Sequence, residues 1–141
     1  MAIDPNNPVV KLCAEGIAAE MAGRASEAAA LYQHAWETRA DDFDACIVAH
    51  YLARVQSTLQ DSLHWNEEAL RYAQAVDSAR VEDFYPSLHL NLGKSHEDLG
   101  NREDAKGFYR LAADGATTLP EGRLNDMVRH GAAEGLKRTG G

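Results

Sequence analysis

Two stretches of this chain, far apart in sequence, carry the same five residues at the same offsets: Gly16, Gly23, Ala28, Tyr32 and Ala35, then Gly93, Gly100, Ala105, Tyr109 and Ala112. Self-similarity of this kind restricts the fold more than composition does, because each copy must form the same supersecondary unit and bury its apolar face on a neighbour. Each offset has a mechanical reading. Gly16 and Gly93 lack a side chain, so a second helix can approach the first closely there. Gly23 and Gly100 stand where a helix should stop, since glycine adopts the left-handed conformation at little cost. Ala28, Tyr32 and Ala35 fall at i, i+4 and i+7 on one helical face, two small residues flanking a ring that fills the groove between paired helices. Ala105, Tyr109 and Ala112 repeat the arrangement.

Written out, the copies are "GIAAEMAGRASEAAALYQHA" and "GKSHEDLGNREDAKGFYRLA". Each resembles a tetratricopeptide repeat (TPR): a small residue, a first helix, a glycine turn, then a second helix with Ala, aromatic, Ala. The resemblance covers most of the chain, strongly in the outer two copies and weakly between them. It implies an all-α chain, a right-handed superhelical solenoid of three TPR-like helical hairpins plus a C-terminal capping helix. One domain is expected over residues 1–141, with repeats at 9–42, 43–85 and 86–119 and the capping helix at 120–138.

The middle unit, Phe43 to Tyr85, is less regular. Its first helix, "DACIVAHYLARVQSTL", is apolar on nearly every side, as a central helix packed on two neighbours should be. Its second, "NEEALRYAQAVDSA", places Ala69, Ala73 and Val76 at the offsets held elsewhere by Ala, Tyr and Ala, and the aromatic has moved one place to Tyr72. The intervening "QDSLHW" lengthens this unit, so either its helices are extended or a loop protrudes there with Trp65 in it. Trp36, on the second helix of the first repeat, is expected to pack on the convex side or against the N-terminal segment.

At the front, Asn6 or Asn7 can cap the first helix and Pro8 favours its first turn. At the back, "LPEGRLNDMVRHGAAEGLKR" starts with Pro120 near the first helical position and sets Leu124, Val128 and Leu136 on one stripe, while "TGG" reads as a frayed tail. Seven helices and no sheet are expected.

With 141 residues one core is sufficient. A net charge of −8 without a Lys/Arg cluster argues against a nucleic-acid surface. No apolar run can span a bilayer, and the first residues lack the layout of a signal peptide, so no membrane role and a cytoplasmic location are expected. Cys13 and Cys46 lie in the first helices of adjacent repeats and read as small core or groove residues kept reduced.

The resemblance implies binding on the concave surface made by the first helix of each repeat. The repeat register places Val10, Cys13, Ile17, Glu20 and Met21 there in the first unit. The second unit contributes Asp44, Ile47, Tyr51, Arg54 and Val55, or His50 in place of Tyr51 if the register slips by one. The third contributes Ser87, Leu90, Asn91, Lys94, Glu97 and Asp98. The candidate groove is therefore Cys13, Ile17, Met21, Ile47, Tyr51, Arg54, Leu90, Asn91 and Lys94, apolar at one end and of mixed charge at the other. It suits a peptide or partner helix with apolar anchors, and Tyr51 with Arg54 has hot-spot composition. The competing reading is that Ile17, Met21 and Ile47 are buried by neighbouring helices. Some TPR domains clamp an acidic C-terminal tail with Lys, Asn, Asn, Lys and Arg. Here Cys13, Ile17 and Ser87 stand at three clamp positions and only Asn91 and Lys94 offer donors, so that mode is disfavoured.

The resemblance thus points to a non-enzymatic adaptor for a protein or peptide, without cofactor. Two other classes stay open. One is a self-associating module, for instance a homodimer, if an end of the solenoid lacks a polar cap. The other is a ligand- or metal-binding enzyme using His50, His89 and His96. His89 and His96 share a helical face, but no metal-ligand spacing enforces convergence, and His96 holds a packing position in the repeat register.

Overall fold

The computed structural model describes residues 4–140 and leaves residues 1–3 and Gly141 outside the description. Seven helices of eleven residues or more follow one another among the described residues, without a strand: α1 (Pro8–Met21), α2 (Ala25–Thr38), α3 (Asp42–Leu52), α4 (Leu59–Gln74), α6 (Tyr85–Asp98), α7 (Arg102–Ala116) and α8 (Arg123–Thr139). The four-residue α5 (Ser78–Val81) and 3-10 turns at Ala53–Val55 and Glu82–Phe84 complete the order. The chain forms two compact units, Met1–Arg80 and Val81–Gly141.

Within each unit the repeated residues do the same work. The helix α1 packs antiparallel on α2, and α6 on α7. A Cβ added to Gly16 would clash with the Tyr32 ring at Cε1 and Cδ1, and one added to Gly93 would lie 2.7 Å from Tyr109 Cδ1. The space left by each glycine is thus taken by the tyrosine ring of the partner helix rather than by its backbone. Tyr32 is 0% exposed and Tyr109 1%, and full burial of such a ring contributes about 2 kcal/mol. Ala28 and Ala35 flank Tyr32, Ala105 and Ala112 flank Tyr109, and all four are fully buried.

The turns match as well. Gly23 and Gly100 have φ of 79° and 82°. The Gly23 amide donates to Glu20 O and the Arg24 amide to Ala19 O; Gly100 and Asn101 donate in the same way to Glu97 O and His96 O. These bonds satisfy the last carbonyls of α1 and α6, and they require the left-handed residue.

In the first unit, Asn7 caps α1 by accepting from the Val9 amide at 2.9 Å, with Pro8 at the first helical position. Its amide Nδ2 donates to Asp44 Oδ1 at 2.8 Å, and the Ala40 amide donates to Asp44 Oδ2. The carboxylate of Asp44 is buried, and these donors take the place of its water. The helix α3 is enclosed on almost every side, with Phe43 through Ala49 buried.

The long middle repeat resolves in favour of an extended helix. Thr58 caps α4 by accepting from the Asp61 amide, so "QDSLHW" is helical and Ser62 Oγ donates to Ala53 O at 2.8 Å. Trp65 consequently packs edge-on against Trp36 of α2, with ring centroids 5.0 Å apart, and Tyr72 does so at 5.9 Å. Ala69 and Ala73 face inward as expected, whereas Val76 lies past the end of α4.

In the second unit, α8 starts three residues later than the proline suggests. Its buried stripe is Asn125, Val128, Ala132, Gly135 and Thr139, not Leu124, Val128 and Leu136: Leu124 is exposed and Leu136 half-buried. The cause is Tyr109, which demands a small face opposite. A Cβ on Gly135 would lie 2.5 Å from Tyr109 Cζ. Asn125 Nδ2 donates to Ala116 O and Leu119 O, closing the end of α7. Thr139 is buried with its hydroxyl donating to Gly135 O, so the helix stays ordered up to Gly140, where φ of 82° ends it.

Candidate functional site

The candidate residues of the first unit divide by burial. Cys13, on the inward face of α1 with Val9, Gly16 and Ala19, is 2% exposed, and Ile47 within the enclosed α3 is 5% exposed. Both are core residues and offer no surface, which corrects their assignment to the groove. Ile17 is half-buried. Met21, one turn further on the same face of α1, is 84% exposed. Tyr51 is half-buried and lies flat on Tyr32, centroids 5.4 Å apart and planes inclined by 19°. Arg54, one turn beyond it, has a side chain 52% exposed and donates from Nη2 to Glu20 Oε2 at 3.2 Å.

Glu20 links these groups. Its Oε1 accepts from the Tyr32 hydroxyl at 2.5 Å while Oε2 takes Arg54, so one carboxylate joins α1, α2 and the turn after α3. Burial first, and the hydroxyl's bond to Glu20 second, hold the Tyr32 phenol above its usual range. His50 stands edge-on to Tyr51 at 5.0 Å. Burial, reinforced by the Arg54 charge, lowers its pKa to about 4, so it is neutral at pH 7. The thiols of Cys13 and Cys46 are free and both pushed up to about 12, chiefly by burial.

In the second unit, Leu90 lies half-buried on α6 against Gly131 of α8 and packs on the Ala112, Ala116, Leu119, Val128 and Ala132 cluster. Asn91 is half-buried, and Lys94 is exposed, 4.0 Å from Asp98 Oδ2. The network of the first unit recurs here. Tyr109 OH donates to Glu97 Oε1 at 2.5 Å, and Arg138 of α8 donates to both Glu97 oxygens, from Nε at 2.7 Å and Nη2 at 3.0 Å. The hydrogen bonds from Arg138 and then Tyr109 hold the Glu97 carboxyl below its usual range. Burial, followed by the bond to Glu97, pushes the Tyr109 phenol up to about 12.

These paired networks were not anticipated, although Glu20 and Glu97 occupy equivalent places in the two copies and that coincidence was a usable signal. The arginine was not readable in the same way. The α7–α8 connection is longer than the α2–α3 connection, so Arg54 and Arg138 do not share the repeat offset.

His50, His89 and His96 are in packing roles. His89 and His96 both stack on Phe108, at 6.1 and 5.4 Å, and His96 Nδ1 accepts from Asn101 Nδ2 at 3.2 Å. Among the described residues, no group of three or more His, Cys, Asp or Glu is placed to hold a metal ion. No helix among them is long and apolar enough to cross a membrane.

Among solved structures, the chain is similar to the Sgt2 TPR domain from Aspergillus fumigatus, with a TM-score of 0.64 and 18% identity, covering 96% of this chain and 83% of that one. The chain has the fold of a TPR domain. At 18% identity the likeness is one of fold. No family model matches the sequence, and no curated protein matches it. The TPR fold accounts for the equivalence of Gly16, Gly23 and Tyr32 with Gly93, Gly100 and Tyr109.

Proposed function

We propose that this chain is a protein-interaction adaptor that docks a peptide or partner helix on the first-helix surface of its TPR fold. In the first unit the docking residues are Ile17, Met21, Tyr51 and Arg54. In the second unit Leu90, Asn91 and Lys94 are the corresponding surface residues. The observation that supports this reading best is Met21, an apolar side chain 84% exposed at the end of α1 and one turn from Ile17. The same unit carries a half-exposed arginine and a half-buried tyrosine, residue types that dominate binding energy at protein interfaces. The partner is a protein, the setting cytoplasmic, and the reading requires neither cofactor nor catalysis.

The test is capture of a partner with wild-type protein and with the Ile17→Ala, Met21→Glu double variant, followed by amide hydrogen exchange of the complex. Loss of the partner in the variant, with protection of the first helices α1, α3 and α6 in the wild type, is the expected result. A partner that survives the double substitution, or that protects only α7, refutes the reading. A second reading, self-association, is favoured by Leu124 and Met127, which are 41% and 56% exposed on α8. Sedimentation velocity over a concentration series tests it: a dimer abolished by Met127→Lys supports self-association, and a monomer at every concentration removes it.

A further inference from the structure

We infer that the notch over Gly107 on α7 is a further docking site, one that takes an apolar side chain of a partner protein with a lysine or arginine beside it. The site lies on the second helix of a repeat, apart from the first-helix surface of the adaptor reading, and goes beyond that reading. It follows from what each helical glycine makes room for. Where a Cβ would stand at Gly16 there is the ring of Tyr32; at Gly93 and Gly135 there is Tyr109, at Gly115 Pro86, and at Gly131 Leu90. Gly107, in the middle of α7, is the exception: an added Cβ would meet nothing within 4 Å among the described residues. Glycine is less favourable than alanine inside a helix. At the other positions a seated side chain offsets that cost, and at Gly107 none of the described residues does.

The space above Gly107 has defined walls. It opens into a cavity of about 260 Å3 lined by Glu103, Asp104, Gly107, Phe108 and Leu111, which share one face of α7. Leu111 is 50% exposed and Phe108 half-buried, so two of the walls are apolar. The Phe108 ring is held by stacking on His96, with centroids 5.4 Å apart and planes inclined by 6°, and on His89 at 6.1 Å. A wall fixed in advance loses little side-chain freedom when a ligand enters. One helical turn away stand the carboxylates of Glu103 and Asp104, both exposed. In this unit Asp98, Glu134 and Glu97 pair with Lys94, Lys137 and Arg138, whereas neither Glu103 nor Asp104 makes an ion pair among the described residues. Lys106 and Arg110 of the same helix do not line the notch. The first turn of α7 suits the two acids through the helix dipole, and that role leaves them able to accept from a base. An apolar hollow with acids about 5.4 Å along the helix therefore selects a ligand with an apolar side chain and a base at a similar distance. The net charge of −8 draws such a partner in and repels a second copy of the chain.

The experiment passes the full chain over short immobilised peptides that carry one leucine and one lysine, spaced for an extended or a helical segment. Each is matched by the same peptide with alanine for leucine, and with glutamine or glutamate for lysine. Wild-type protein is expected to prefer lysine over glutamine by about threefold, the size of one exposed ion pair, and lysine over glutamate by about tenfold. Leucine should be preferred over alanine by about tenfold. Gly107→Leu fills the notch and should erase the leucine preference, with wild-type helicity by circular dichroism. Glu103→Gln combined with Asp104→Asn should erase the lysine preference and keep the leucine one. Amide exchange with the tightest peptide should slow around Gly107. A leucine preference unchanged in Gly107→Leu, equal binding of lysine and glutamate members, or binding to no member overturns the inference. A dimer in sedimentation that Gly107→Leu abolishes assigns the notch to a second copy and overturns the foreign partner. None of these outcomes bears on the adaptor reading, whose docking residues lie on other helices.

Discussion

Alanine in place of glycine at two positions of the second unit should move stability in opposite directions, although both lie inside helices. At Gly107, in the middle of α7, an added Cβ meets nothing within 4 Å. The change to alanine there removes backbone freedom from the unfolded chain and should stabilise by about 1 kcal/mol. At Gly93, in α6, the same gain is available but is outweighed. The new Cβ would sit 2.7 and 2.8 Å from Tyr109 Cδ1 and Cε1, where ordinary contact is 3.4–4 Å. The ring must move, yet it is 1% exposed and its hydroxyl is tied to Glu97. Overpacking of this kind costs about 1–3 kcal/mol, and loosening the hydroxyl bond costs about 1 kcal/mol more. Net destabilisation of about 1–3 kcal/mol follows, which separates the two variants by about 2–4 kcal/mol. Urea unfolding followed by helical circular dichroism measures this directly, since both residues belong to one compact unit. The cycle closes with Gly93→Ala in a Tyr109→Leu background, where the penalty should largely disappear. If Gly93→Ala and Gly107→Ala shift the midpoint in the same direction by similar amounts, the glycine–tyrosine seating described above is wrong.

Three further outcomes are expected. His50 has its folded pKa lowered from 6.5 to about 4, so the unfolded state binds its proton first. The resulting stability is full above about pH 6.5 and is lost as pH falls toward about 4, a change of about 3 kcal/mol that a His50→Gln variant should lack. Cys13 and Cys46, buried with thiols pushed up to about 12, should resist a disulfide reagent in native buffer and both react once the chain is unfolded. Trp36→Ala removes the ring that meets Trp65, Tyr72 and the Arg39 guanidinium. It should cost about 2–4 kcal/mol by urea unfolding and reduce the near-UV circular dichroism.

What was legible from the residues is what is local to a hairpin. Gly16 with Tyr32, and Gly93 with Tyr109, meet across a single turn whose length is set by Gly23 or Gly100, so their spacing repeats and can be read. The course of α4 was only half legible. Its start is marked by Thr58 rather than by glycine or proline, and a lone capping residue is a weak boundary signal. The bonds from Arg54 to Glu20 and from Arg138 to Glu97 were not legible, because they join residues across connections of unequal length. No common offset survives that inequality.

By itself the sequence determined that this chain is a series of antiparallel helical hairpins, where each hairpin turns, and which alanines and tyrosines face the partner helix. Periodicity assigns residues to a helical face, and the repeat states what that face must fit. Only the tertiary structure decided which residues of the expected binding surface remain on a surface. Cys13 and Ile47 lie buried, whereas Met21 and Arg54 stand in solvent. The reason is physical: a helical pattern fixes the direction in which a side chain points, but its exposure depends on which neighbouring helix closes over it, and that closure is set by packing between segments distant in sequence.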